Sequence, residues 1–180
     1  MLRNYLRKMA GTTQSPPGVG LAEIFWSWLG GCLGIGAVAY LNFQLVEKAD
    51  QVLLVASLGA SAVLIYGATK SPLAQPRNLV GGHLISAFIG VASYKIFAPH
   101  LWLAATLAVA FSIAAMHATK TLHPPGGATA LIAIIGGPKI QSLGFFYLVL
   151  PVGAGVLIML VVALIFNNLP RTRRYPEFWL

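Results

Sequence analysis

The sequence predicts an all-α polytopic membrane protein, and three observations carry that prediction. Hydrophobic residues make up 57% of the 180-residue chain, charged residues only 9%, and the mean hydropathy is +0.77. One soluble core of this size cannot bury so much apolar surface. Apolar stretches of near-membrane length also recur, separated by short connectors bearing proline and glycine. Finally, the twelve Lys and Arg gather at the termini and between apolar runs, against four acids, Glu23, Glu47, Asp50 and Glu177. The net charge of +8 therefore reads as membrane topology and not as nucleic-acid binding.

Along the chain, Arg3, Arg7 and Lys8 precede a Pro16-Pro17 break, and the apolar run after it lacks a small-residue cleavage pattern, so no cleaved signal peptide is expected. Segments of spanning length run from Ile24 to Phe43, Val52 to Thr69, Leu79 to Ala98, Leu101 to Ala118 and Leu143 to Phe166. A sixth, Gly127 to Gly137, is apolar but 11 residues long. At ~1.5 Å per residue it crosses about half of a ~30 Å hydrocarbon core, as a half-helix or a re-entrant segment. The basic termini, with Arg171, Arg173 and Arg174 at the far end, both read as cytoplasmic and require an even number of crossings. Six crossings place Lys70, Arg77 and Lys120 inside and Glu47, Asp50 and His100 outside, although Lys95 and Lys139 fit less well. Four crossings would put the first three bases outside, so six are expected. The chain is then one transmembrane domain, 1–180, with cytoplasmic tails 1–20 and 170–180.

An internal echo refines this plan. Gly59-Ala60-Ser61-Ala62-Val63-Leu64 matches Gly127-Ala128-Thr129-Ala130-Leu131-Ile132 in size and chemistry at a 68-residue offset. It suggests two three-segment repeats, 21–98 and 99–169, inverted because the count per unit is odd, which is a transporter-like plan. Short or broken helices are expected to begin near Gly59 and near Gly126. The second start is the clearer one, because His123-Pro124-Pro125-Gly126-Gly127 combines helix-breaking prolines with glycines that admit a close neighbour.

If both short helices start at mid-membrane and enter from opposite sides, their free N–H groups and two hydroxyls converge on one point. The expected substrate site is Gly59, Ala60, Ser61, Gly126, Gly127, Ala128, Thr129 and His123, holding a small anion. A single helix start supplies at best ~2 kcal/mol, so several donors must act together. The competing reading is that these runs merely let membrane helices pack closely.

Titratable residues in apolar segments are costly and mark a pathway or relay by default. His83, Lys120, Arg77 and Asn78 are the pathway or proton-relay candidates, and His123 can change charge near neutral pH. The blander accounts are snorkelling for Lys120, an interhelical hydrogen bond for His117, and helix capping in the Ser71-Pro72-Leu73-Ala74-Gln75-Pro76-Arg77-Asn78 connector. His117 and His123 are six apart, which does not align two ligands on a helix face, and no carboxylate lies near either, so no metal site is expected. No cofactor is expected, and the absence of a nucleophile elbow, an intramembrane acid pair or a nucleotide motif argues against an enzyme. Cys32 reads as a packing residue, Glu23 as a helix-start acid, and Trp26, Trp28, Trp102 and Tyr147 as interfacial belt anchors.

The chain resembles the HPP family of small integral membrane proteins through Gly59 to Val91, which includes the Ser71–Asn78 connector and Gly81-Gly82-His83, and through His123 to Ala130. In the cyanobacterial and chloroplast branches that resemblance implies nitrite transport. The expected function is transport of a small inorganic anion, most of all nitrite, with an anion-selective channel or an accessory membrane subunit as the alternative. The expected partners are that anion, the lipid bilayer and further copies of the chain. The expected location is a bacterial inner membrane, with the chloroplast envelope as the alternative.

Overall fold

A computed structural model describes residues 8–9, 15–45 and 48–180, and of residues 41, 42, 44, 45 and 48–55 it describes the backbone alone. Arg3, Arg7, Glu47 and the side chain of Asp50 lie outside the described residues. Among those described there are seven helices and no strand: α1 (Leu21–Leu45), α2 (Lys48–Gly67), α3 (Pro76–Phe97), α4 (Leu101–Ala118), α5 (Pro125–Ile135), α6 (Pro138–Ser142) and α7 (Ala154–Phe166). Four stretches are long and apolar enough to cross a membrane: Leu21–Tyr40, Pro76–Phe97, Leu101–Ala118 and Gly144–Phe166. Ala56–Gly67 and Pro125–Ile135 are shorter apolar helices.

Proline chemistry sets several of these boundaries. Pro76, Pro125 and Pro138 each stand in the first turn of a helix, where a missing N–H costs nothing. Inside the last apolar stretch, however, a proline interrupts. Gly144–Leu148 is a 3-10 turn, Leu150 is extended (φ −130°, ψ 126°), and α7 starts only at Ala154. The uninterrupted Leu143-to-Phe166 segment expected from hydropathy is thus broken where Pro151 cannot donate.

Gly59 is a second correction. It lies in the interior of α2, which runs unbroken from Lys48 to Gly67, so no helix begins there. Glycine permits a helix start without requiring one, and no proline precedes Gly59 to stop the ladder. The start near Gly126 is present, one residue earlier, at Pro125.

Hydrogen bonds tie one end of the bundle together. Asn167, just past α7, donates to Ile65 O near the end of α2 (2.8 Å). Arg77 at the start of α3 donates to Thr119 O just past α4 (2.8 Å), and Tyr175 in the C-terminal tail reaches Ala74 O (2.8 Å). Burial pushes the Tyr175 hydroxyl pKa up, so it stays a donor throughout the physiological range. Arg173 closes the same end on α1: its Nε and Nη2 fork onto the Glu23 carboxylate (2.9 and 2.7 Å), and Nη2 also reaches Ser27 Oγ (2.7 Å) and Glu23 O (3.0 Å). Glu23 is therefore an ion-pair partner as well as a first-turn acid.

From this end α3 and α5 run side by side in the same direction. A Cβ on Gly126 would sit 2.8 Å from Gly82 O, and one on Gly90 2.5 Å from Ala130 O. Those two glycines let the backbones touch, which brings His83 on α3 against the segment carrying His123 and Thr129. The core continues through Tyr66, Leu79, Tyr147 and Met159, all fully buried.

Candidate functional site

Inside this end of the bundle, Ser61, His83, His123 and Thr129 meet, each fully buried. Ser61 Oγ lies 2.7 Å from His83 Nε2 and 2.8 Å from His123 Nε2. On the far side of the His83 ring, Nδ1 is 2.7 Å from Thr129 Oγ1. His123 Nδ1 is 2.7 Å from the carbonyl of Leu73. The two ring centroids are 5.0 Å apart. Every imidazole nitrogen has a partner.

Donor and acceptor roles follow from one fixed point. The Leu73 carbonyl can only accept, so His123 Nδ1 carries a proton. With neutral rings, His123 Nε2 accepts from the Ser61 hydroxyl, Ser61 Oγ accepts from His83 Nε2–H, and His83 Nδ1 accepts from Thr129. All four donors point the same way, from Thr129 toward Leu73. Two longer contacts give the hydroxyls a second acceptor, Ser61 to Ser57 O and Thr129 to Pro125 O, both 3.4 Å. A proton taken by His83 turns the Thr129 hydroxyl to Pro125 O; one taken by His123 turns the Ser61 hydroxyl to Ser57 O. The chain thus accommodates one proton at either ring without losing a heavy-atom contact.

Each member is held by a different device. Ser61 is fixed by α2 and His83 by α3, seven residues past its first residue, about 10 Å at ~1.5 Å per residue. The chain folds His123 inward because Asn78 donates to Leu122 O (2.8 Å) and Arg77 to Thr119 O. Arg77 and Asn78 therefore tether the 119–122 loop. Tyr147, fully buried, donates to Thr129 O (3.0 Å), so it braces α5 and is not a belt anchor.

The remaining expected site residues are placed elsewhere. Ala60 and Ala128 are exposed, and Gly59 and Gly127 are half-buried. A Cβ on Gly59 would meet nothing within 4 Å, and one on Gly127 only Val109 at 3.8 Å. The two glycines do not face each other; the hydroxyls two residues later do the converging. The first-turn N–H groups of Gly126 and Gly127 are bonded to His123 O (2.8 Å) and Pro124 O (3.0 Å), so the expected cradle of free N–H donors is closed. Gly126 instead packs on Gly82 and Ser86.

Lys120 and His117 are exposed, so neither is part of the buried histidine cluster. Lys120 has φ +57° and occupies the left-handed position of a Schellman end, with Lys120 N on His117 O and Thr121 N on Met116 O. Because a side chain at this φ is strained by roughly 1–2 kcal/mol, Lys120→Gly should raise stability by about 0.5–1 kcal/mol, read as a higher unfolding midpoint in detergent. Cys32 is exposed as well and is not a core packing residue. Among the described residues no group of three or more His, Cys, Asp or Glu could hold a metal ion.

Sequence reasoning named Gln75 within the 71–78 connector but did not foresee that it braces this site. Gln75, fully buried, donates to Thr69 O (2.9 Å) and Ser71 O (2.8 Å), while its Oε1 accepts Glu177 N (2.8 Å). This folds the connector so that Leu73 O faces His123. A glutamine between two prolines was the available signal, and its role depends on a tail about a hundred residues away.

The HPP transmembrane region matches residues 16–176. The chain belongs to the HPP family. It is 47% identical over 179 residues to one transmembrane protein of Dictyostelium discoideum, covering 97% of this chain and 57% of that one. To a second from the same organism it is 44% identical over 181 residues, covering 97% and 63%. The chain thus spans about three fifths of the length of these curated relatives. No solved structure matches it. Family and apolar helices together make this HPP protein an integral membrane protein.

Proposed function

We propose that this HPP protein moves a small inorganic anion across the membrane together with a proton, nitrite being the substrate to test first. The observation that carries the reading is the buried Thr129–His83–Ser61–His123 chain, which can take a proton. A proton on either ring creates a buried cation, which needs a counter-charge. None of the side chains in the chain is acidic, and Glu23 is engaged by Arg173 at the bundle end. An anion arriving with the proton supplies that charge. Uptake of an anion against an inside-negative potential costs about 2.3 kcal/mol per 100 mV, and a co-transported proton cancels that cost.

The same reading takes six crossings, with both termini cytoplasmic and in the same compartment as Lys70, Arg77 and Lys120. It supposes two inverted units, 21–98 and 99–169, whose echoing positions Ser61 and Thr129 flank one imidazole. The membrane is taken to be a bacterial inner membrane. The carrier is favoured over a channel because each polar group of the site is satisfied by the protein itself, so the anion must displace internal bonds to enter.

The test is flux into liposomes holding the purified protein. An acid-outside pH step should accelerate nitrite entry, and entry should saturate. His123→Ala with Thr129→Ala should lower it at least tenfold while the protein remains monodisperse in detergent. Nitrite entry unchanged in that double variant would sink the site, and unsaturating, ohmic current would favour the channel.

A further inference from the structure

A cavity of about 380 Å³ opens at the tied end of the bundle, lined by Glu23, Thr69, Lys70, Ser71, Thr172 and Arg173 among others. A more open apolar groove of about 700 Å³ runs between α1 and α2 beside Trp28, Gly31, Ile35, Gly36 and Val63. The two adjoin at Gly67, which lines both. The first carries the cationic side chains of Lys70 and Arg173, and the second is almost wholly apolar.

The polar end has unspent donors. Among the described residues, the N–H groups of Thr69 and Lys70 make no backbone hydrogen bond, while the flanking Ala68 N and Ser71 N do. Ser71 Oγ accepts from Leu73 N (3.2 Å), leaving its own proton to give. Lys70 is exposed and forms no ion pair among the described residues. Arg173 spends most of its donors on Glu23, Ser27 and Asn167, and Glu23 offsets its charge. Lys70 therefore sets the net charge of the cavity at one positive. Successive N–H groups in a turn, with hydroxyls and one ammonium, suit a singly charged phosphodiester.

We propose that this end binds an anionic phospholipid, with its phosphate on the Thr69–Ser71 turn and an acyl chain along the α1–α2 groove. Charge complementarity selects the headgroup, and the apolar groove adjoining at Gly67 selects a lipid over a free phosphate. Trp28, exposed on α1, stands beside the groove, where an aromatic ring suits the headgroup boundary. The site lies apart from the histidine chain, and it stands whether or not the protein carries an anion.

Native mass spectrometry of the full chain released from mixed phosphatidylglycerol and phosphatidylcholine nanodiscs tests this. Phosphatidylglycerol should be retained at least tenfold over phosphatidylcholine. Lys70→Glu should abolish that preference, and the exposed position of Lys70 keeps the fold out of question. Gly31→Trp, where an added side chain enters open space, should lower retention of the diacyl lipid by filling the groove. Equal retention of the two lipids by the unaltered chain would overturn the proposal. So would a preference unchanged in both variants, or displacement of the lipid by millimolar inorganic phosphate or glycerol phosphate, which would assign the turn to a soluble anion.

Discussion

Ser61→Ala should cost this HPP protein more than any other single hydroxyl removal, in both stability and transport. Ser61 Oγ is the one atom that touches both histidines, and alanine leaves two buried ring nitrogens without partners. Each unsatisfied buried polar group costs about 1–3 kcal/mol, so the loss is about 2–6 kcal/mol if nothing rearranges. Thr129→Val keeps the shape and strands a single nitrogen, for about half that cost. Thr129→Ser keeps the hydroxyl and should stay close to the unaltered protein. The unfolding midpoint in detergent should therefore fall in the order Thr129→Ser, Thr129→Val, Ser61→Ala. Nitrite flux should follow the same order, because a proton cannot pass between the rings when Ser61 is gone. If Ser61→Ala and Thr129→Val proved equally mild, the rings would not be coupled through Ser61.

The side chains of this site could be read from the sequence, whereas the reason for their meeting could not. His83 and His123 stand out as titratable groups in apolar segments, and that cost argument holds wherever the chain folds, whereas Ser61 and Thr129 stand out through the two echoing small-residue runs. The argument from helix starts was right at Pro124-Pro125, where missing N–H groups force a break, and wrong at Gly59, where small residues continue a helix as readily as they begin one. Small residues state that something packs closely; they do not state what. Hydropathy located the apolar stretches, four of which are long enough to cross a membrane among the described residues, yet it could not see Pro151 breaking the last of them or Tyr147 turning inward to Thr129 O. Side chains that bond to backbone carbonyls are hardest to foresee, since Leu73 O has no sequence signature. Arg77 and Asn78 illustrate this: the sequence marks them as pathway or relay candidates, and their hydrogen-bond partners are carbonyls of the 119–122 loop.

Glu23→Ala should be the most damaging change outside the histidine chain. In a run with Arg171 and Arg174, Arg173 reads as one more topological charge, and its partner lies 150 residues earlier. Yet its side chain is 3% exposed against 31% for that of Glu23, and this asymmetry fixes the sign of the experiment. Removing the carboxylate strands a buried guanidinium, which costs about 3–5 kcal/mol in a buried pair and somewhat less here because water reaches the Glu23 side. Arg173→Met leaves a carboxylate that water can already reach, so its loss should be the smaller of the two. Unfolding midpoints of the two variants in detergent give the comparison, and equal losses would refute the view that the arginine is the buried partner. The consequence extends beyond stability. Arg173 anchors the tail that carries Tyr175 to Ala74 O and Glu177 N to Gln75 Oε1, and the same connector presents Leu73 O to His123. Hydrogen exchange at the Tyr175 and Glu177 amides should therefore speed up in Glu23→Ala. Nitrite flux should fall with it, because His123 loses the fixed acceptor that orients every donor in the chain.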